Sequence, residues 1–317
     1  MTTEQATTEQ ATTEQATTTQ AATENDPLKD LYTDWSEILA TTEGLTVRLF
    51  RSIFDEWHQP TAEPTDVTYE EGVVGGVPGI WCRPVGSDAG QVLLYTHGGG
   101  FSVGSASSHR KLAAHVAKAL GVQSFVLDYR LAPEHPHPAG LEDAVSVFHG
   151  LVDSGISPQA ITTIGDSAGG NLAVATALAL KERGGPLPGA VIAFSPWLDM
   201  ENKGVTLETN DATDALITRG LLEGMIAGVL GDSVDPTTPL ANPLYADFTG
   251  FPRLYITAGS VESLLDNATR LHDLATAAGV DSTLSIGEGQ QHVYPFNAGR
   301  TRAADDEIAA VAAWYAR

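Results

Sequence analysis

The chain has 317 residues, 42% of them hydrophobic, enough to bury a sizeable core as one α/β domain with inserted elements. Its 17 basic against 40 acidic residues give a formal net charge of -23, which argues against nucleic acid or an anionic membrane as partner, since both need a positive footprint. No apolar run approaches the roughly 18 residues of a membrane-crossing helix; no signal-like stretch opens the chain, and Cys82 is the only cysteine, so a reducing, cytoplasmic setting is expected.

The opening reads Thr-Thr-Glu-Gln-Ala three times from Thr2 to Ala16, then Thr-Thr-Thr-Gln-Ala from Thr17 to Ala21. Such a segment has no apolar face to offset its ordering entropy, so residues 1–25 are expected to form a disordered tail. From Asp26 onward Leu28, Leu31, Trp35, Ile38 and Leu39 recur at helical spacing, and Val47, Leu49, Phe50, Ile53, Phe54 and Trp57 follow in a second stretch. Two helices are predicted over residues 26–60. They precede the first strand signals and therefore lie outside the alternating sheet pattern, where they can fold over it as a cap.

Residues 61–317 read as one α/β domain. Val67 to Tyr69 and Val77 to Cys82 flank Gly-rich turn signals and predict two strands. Short apolar or β-branched runs then recur at Gln91 to Thr96, Gln123 to Asp128, Ile161 to Gly165, Ala190 to Phe194, Leu254 to Ala258 and Ser282 to Ile286. Between them helical patterns run at about His109 to Leu120, Leu141 to Val152, Ala168 to Arg183 and Leu264 to Ala278. This rhythm predicts right-handed βαβ crossovers and a mainly parallel sheet flanked by helices. The stretch of about 200–250 interrupts it with a helix near Leu216 to Leu230 and a Pro-rich return, and reads as an inserted lid.

Gly165-Asp166-Ser167-Ala168-Gly169 matches G-x-S-x-G where an apolar strand gives way to a helix pattern. Small residues permit a sharp turn that pushes the Ser167 hydroxyl into solvent, and the helix N-terminus directs N–H groups at developing negative charge. His97-Gly98-Gly99-Gly100-Phe101 follows the strand Gln91 to Thr96. Glycines there let the backbone approach a substrate carbonyl, and Gly99, Gly100 and Ala168 are the expected oxyanion donors. A phosphate cradle is disfavoured because neither Lys-Ser/Thr nor G-x-G-x-x-G accompanies the glycines.

In the hydrolase order acid and then base follow the nucleophile, so His272 and His292 are the available bases. His272 sits inside a helix pattern, whereas His292 ends the polar loop Gly287-Glu288-Gly289-Gln290-Gln291 beyond a strand. His135 and His137 lack further ligands, and no metal is expected. Of Glu262, Asp266 and Asp273, Glu262 fits a loop position before a helix, while Asp266 falls in its first turn and Asp273 on its face.

Together these motifs resemble the hormone-sensitive-lipase-like (family IV) esterases of the α/β-hydrolase superfamily, from about Leu93 to His292. The pieces are His97 to Phe101, Asp128-Tyr129-Arg130-Leu131-Ala132-Pro133-Glu134, Gly165 to Asn171, and Ser195-Pro196-Trp197-Leu198-Asp199. Many relatives have Asp-Pro-Leu-x-Asp where this chain has Glu262-Ser263-Leu264-Leu265-Asp266, so the resemblance places Glu262 on the family's catalytic Asp. Gln291 to Phe296 and the Glu-containing loop look most like the branch with monoterpene ε-lactone hydrolases. The resemblance also implies an N-terminal helical cap. Arg130 and Glu134 are expected to brace the fold as an ion pair.

The expected function is hydrolysis of small to medium acyl esters through an acyl-enzyme on Ser167, without cofactor. Lactone opening is the alternative, and a ligand-binding protein on a hydrolase scaffold is the alternative of another class. Amide hydrolysis is a third. The expected partner is a small-molecule ester or lactone, and self-association as a homodimer is left open.

Overall fold

In the computed structural model residues 26–317 are described; the tail expected over residues 1–25 lies outside them. The strands are β1 (Val67–Val74), β2 (Val77–Pro84), β3 (Asp88–Thr96), β4 (Val122–Leu127), β5 (Ile161–Asp166), β6 (Ala190–Phe194), β7 (Arg253–Gly259) and β8 (Ser282–Gly287). They form one eight-stranded sheet of order β1-β2-β4-β3-β5-β6-β7-β8. β1 and β2 pair antiparallel, as do β2 and β4, and the remaining pairs are parallel. Every parallel strand therefore ends at the same edge, where the connecting loops collect.

The helices are α1 (Pro27–Thr41), α2 (Val47–Phe54), α3 (Ala106–Leu120), α4 (Ala139–Asp153), α5 (Ala168–Glu182), α6 (Thr206–Thr209), α7 (Arg219–Leu230), α8 (Leu265–Ala277) and α9 (Arg302–Tyr315). Strand alternation sorts the core between two faces. Leu93 and Tyr95 pack in one cluster with α3 and α9, whereas Val92 and Leu94 face α4 and α5. Each fully buried aliphatic side chain contributes about 1.5–3 kcal/mol of transfer free energy. β6 and β7 turn Val191, Ala193, Leu254 and Ile256 toward α5 and α8.

Local signals set the element ends. Ser105 and Ser108 form a reciprocal capping box at the start of α3, and Gly121 ends the helix with φ 70°. The α5 helix is buried from Ala168 to Leu180, and its run of small residues lets it lie close against the sheet. The N-terminal helices α1 and α2 pack on α9's face of the sheet through Leu28, Tyr32, Trp35 and Phe54. Helix α9 goes beyond the elements expected from the sequence pattern.

One expectation is corrected. Arg130 does not pair with Glu134: it binds Asp143 on α4 (Nη2–Oδ1 2.7 Å), while Glu134 pairs with Arg51 on α2 (2.6 Å). The segment between β4 and α4 is not helical, so residues four apart do not share a face there. Asp143 accepts from the Arg130 backbone N–H as well, at 2.8 Å, and so fixes the turn rather than a local pair.

Candidate active site

Ser167 occupies the turn between β5 and α5 with φ 53° and ψ -121°, a conformation non-glycine residues seldom adopt. The flanking glycines are steric necessities. A Cβ on Gly165 would meet Gly169 O at 2.3 Å, and one on Gly169 would meet Thr96 O at 2.0 Å. The turn is pinned by Ser167 N–H on Phe194 O (2.8 Å) and by Trp197 N–H on Ser167 O (2.9 Å). Ser167 as a whole residue is 5% exposed.

The segment after β3 supplies His97 to Gly100. Gly98 donates its N–H to Asp166 Oδ1 (3.2 Å), which also accepts from Tyr95 OH (2.8 Å), and a Cβ there would lie 2.2 Å from Asp166 Oδ2. Gly99 and Gly100 have φ 109° and 58°, values that glycine adopts without strain. Gly99 O accepts from Ser102 and Val103, which turns its carbonyl back into the loop. The N–H groups of Gly99, Gly100 and Ala168 donate to no acceptor among the described residues.

His97 stacks on Tyr129 with 4.2 Å between ring centroids and contacts Gly98 O through Nδ1 at 2.7 Å. Burial, reinforced by neighbouring His109, pushes its pKa down to about 3, so the ring is neutral and serves as packing. His109 Nε2 lies 3.4 Å from Asp166 Oδ2. Burial works against the Asp166 carboxylate, but His109 and the Tyr95 hydroxyl hold its pKa below the ordinary value.

Glu262 follows β7 and His292 follows β8; both are fully buried, with Nδ1 of His292 3.4 Å from Oε1 of Glu262. That spacing is long for a hydrogen bond. Glu262 Oε2 accepts from Ser195 Oγ (2.6 Å) and Gly259 N–H (2.8 Å), and Ser195 Oγ accepts from Val293 N–H (2.9 Å). Ser195 thus ties the acid's carboxylate to the residue after His292. From α1, Tyr32 OH donates to His292 O (3.1 Å) and accepts from Trp57 Nε1 (3.1 Å). Burial alone would lower the His292 pKa, but the carboxylates of Glu262, Asp214 and Asp166 outweigh it and hold it above 6.5. Nε2 of His292 is buried and unpartnered among the described residues.

The competing candidates lie elsewhere. Asp266 pairs with Arg270 at 3.3 Å, Asp273 is exposed on α8, and His272 contacts Ser282 Oγ through Nδ1 at 2.9 Å. Sequence reasoning missed Ser195 as a bridge, although its place at the end of a parallel strand was a usable signal. It also missed Asp214, a buried carboxylate in the insertion that no motif marks.

An apolar cavity of about 620 Å³ lies between the N-terminal helices and α7, lined by Leu39, Phe50, Leu216, Leu221 and Met225 among others, and neither Ser167, Glu262 nor His292 is part of its wall. It reaches the glycine loop after β3 through Met225. A Cβ on Gly100 would fall 2.0 Å from Met225 Sδ, so the thioether rests directly on that glycine. Among the described residues no helix is long and apolar enough to cross a membrane.

Comparison with known proteins agrees with this geometry. A family model of the α/β-hydrolase fold matches residues 93–296. An acetyl-hydrolase of Streptomyces hygroscopicus is 37% identical over 266 residues, covering 78% of this chain and 88% of its own. The carboxylesterase NlhH of Mycobacterium tuberculosis is 31% identical over 285 residues, covering 85% and 88%. The crystal structure of an esterase from the bacterial hormone-sensitive lipase family superposes with a TM-score of 0.86 at 37% identity, covering 92% of this chain and 98% of that one. The chain therefore belongs to the α/β-hydrolase fold family, within its hormone-sensitive-lipase-like esterases.

Proposed function

We propose that this protein is a serine carboxylic-ester hydrolase that acts on small to medium acyl esters through an acyl-enzyme on Ser167. The observation that carries the reading is the buried Glu262–His292 contact of 3.4 Å, which leaves Nε2 of the imidazole without a partner. His292 Nε2 takes the Ser167 proton as Oγ attacks the ester carbonyl, and Glu262 orients the ring and stabilises its charged form. The N–H groups of Gly99, Gly100 and Ala168 receive the oxyanion, each contributing about 2.7–4 kcal/mol to the transition state. Collapse returns the proton from His292 to the leaving alcohol. Water, deprotonated by the same imidazole, then releases the acid and restores Ser167.

The relatives' esterase and acetyl-hydrolase names support the ester class. In a lactone the leaving alcohol stays tethered, and the same steps open the ring; Glu262 at the acid position and the stretch Gln291 to Phe296 support that finer reading. A panel of acyl esters of increasing length with six- and seven-membered lactones separates the two. Ser167→Ala is expected to abolish turnover while a fluorophosphonate labels Ser167 in the wild type alone. Turnover near wild type in the variant, or a wild type that resists the label, refutes the proposal and favours a binding protein on this scaffold.

A further inference from the structure

The acid loop from Ser260 to Ser263 has no regular secondary structure and is largely buried, so its backbone polar groups require specific partners. They find them in one stretch of the insertion after β6. Asn210 Nδ2 donates to Ser260 O (3.2 Å) and Glu262 O (2.9 Å), and Thr213 Oγ1 donates to Val261 O (3.0 Å). Thr206 Oγ1 donates to Ser263 O (2.8 Å), and Asp214 Oδ2 accepts Ser263 N–H at 2.6 Å. Four consecutive carbonyls, including that of Glu262, thus face side-chain donors of the insertion, with the Thr213 hydroxyl shared between Val261 O and Asn210 O at 3.0 Å each.

The same stretch grips the base loop. Ala215 N–H donates to Gln291 Oε1 (2.9 Å), and Gln291 Nε2 donates to Thr213 O (2.9 Å), so a buried side chain next to His292 is held at both ends. Asp214 is itself fixed by N–H groups of Leu216 (2.9 Å) and Ile217 (2.8 Å) on its Oδ1. An element that only covered the site would meet these loops through apolar contacts. Here it places side-chain donors and acceptors against their backbone groups.

Resting on the ester-hydrolase reading, we propose that Asp214 and Gln291 are positioning residues, and that the insertion stretch Asn210–Ala215 holds Glu262 and His292 in the geometry that turnover requires. Asp214 fixes the acid loop, and Gln291 fixes the base loop to the same backbone. Neither touches substrate. Displacements of about 1 Å in such constellations cost on the order of 10²-fold in rate, so the clamp acts on turnover rather than on binding.

The test measures kcat, KM and melting temperature on a short-chain p-nitrophenyl ester for Asp214→Asn, Gln291→Leu and Thr213→Val. In Asp214→Asn an amide group faces either Ser263 N–H or the N–H groups of Leu216 and Ile217, so one grip is lost without change of volume. Gln291→Leu removes both bonds of the base-loop grip, and Thr213→Val removes an exposed hydroxyl that faces Val261 O and Asn210 O, and folds even where the buried variants do not. The expected result is a kcat loss of about 10–100-fold for the first two and about 2–5-fold for the third, with KM within twofold and fluorophosphonate labelling slowed in parallel. Folded variants with wild-type kcat, or losses confined to KM, overturn the inference. So does a lowered melting temperature with wild-type kcat measured well below it. Normal clamp variants beside Ser167-dependent wild-type turnover sink only this inference, whereas turnover that survives Ser167→Ala sinks the underlying reading.

Discussion

Glu262→Gln is expected to cripple turnover where Asp266→Asn does not. Glu262 Oε2 accepts from two donors, Ser195 Oγ at 2.6 Å and Gly259 N–H at 2.8 Å, and Oε1 faces His292 Nδ1 at 3.4 Å. A glutamine has one acceptor oxygen. Kept on Ser195 and Gly259, it turns its amide N–H groups toward His292 Nδ1 and selects the tautomer whose proton sits on Nε2, where a base cannot accept one. Flipped, it sets donor against donor at the buried Gly259 N–H, which costs about 1–3 kcal/mol. Either orientation also removes the charge that stabilises imidazolium, and losses of about 10⁴ in kcat accompany the equivalent change in serine triads, or about 5 kcal/mol of barrier. Asp266, by contrast, makes a partly exposed pair with Arg270 at 3.3 Å, a contact of the kind worth at most about 1 kcal/mol of stability. The assay compares both purified variants, shown to be folded by circular dichroism, on one short-chain ester at a pH where the His292 of the wild type is neutral. Glu262→Gln within tenfold of wild type, or Asp266→Asn as the crippled protein, refutes the reasoning.

Further outcomes follow from the same contacts. The base must be neutral to act and its pKa is held above 6.5 by Glu262, Asp214 and Asp166, so kcat/KM rises with pH through a midpoint above 6.5; a midpoint at or below that value refutes the charge argument. For His97 the sign is opposite. Its folded pKa of about 3 lies under the ordinary 6.5, so the unfolded chain takes up the proton first, and stability falls as pH drops from 6.5 toward 3. His97→Asn flattens that acid arm in denaturant titrations at pH 7 and 5, and an unchanged slope counts against it. Gly100→Ala forces a Cβ to within 2.0 Å of Met225 Sδ at φ 58°, so the oxyanion loop shifts and kcat falls by about 10²–10³; activity within threefold of wild type refutes this. Gly224 lines the apolar cavity with open space where a Cβ would be, so Gly224→Phe fills the cavity and lowers kcat/KM for octanoyl more than for acetyl esters, and an equal effect on both rejects the cavity as acyl site.

The sheet was legible because buried parallel strands write themselves as short apolar runs between helical patterns, and β6 at Ala190–Phe194 was bounded to the residue. The need for glycine around Ser167 and after β3 was legible for a steric reason that the contacts around Gly165, Gly169 and Gly98 display. What local pattern does not encode is the choice of partner across the fold. Arg130 and Glu134 sit four apart in sequence yet bind Asp143 and Arg51, because the non-helical segment between β4 and α4 separates them. Ser195 was visible as a motif letter, but its bridge from Glu262 to Val293 depends on β6 and β7 lying side by side. Asp214 had no signal, since a lone acidic residue in an insertion is indistinguishable from a solvated one until the chain is folded around it.

Topology explains why one short insertion reaches so much of the site. β3, β5, β6, β7 and β8 are neighbours in the parallel part of the sheet, so the loops carrying Gly99, Ser167, Ser195, Glu262 and His292 leave from one edge. The insertion begins at that edge, directly after β6, and must cross the acid loop before it can form α7 over the oxyanion glycines. Crossing there leaves two physical requirements on one piece of chain. Asn210 to Ala215 must satisfy the buried polar backbone beneath them, while Leu221 and Met225 must present an apolar wall to the cavity. The hydrogen bonds that meet the loop of Glu262 and the apolar wall of the cavity thus belong to one continuous segment of the chain.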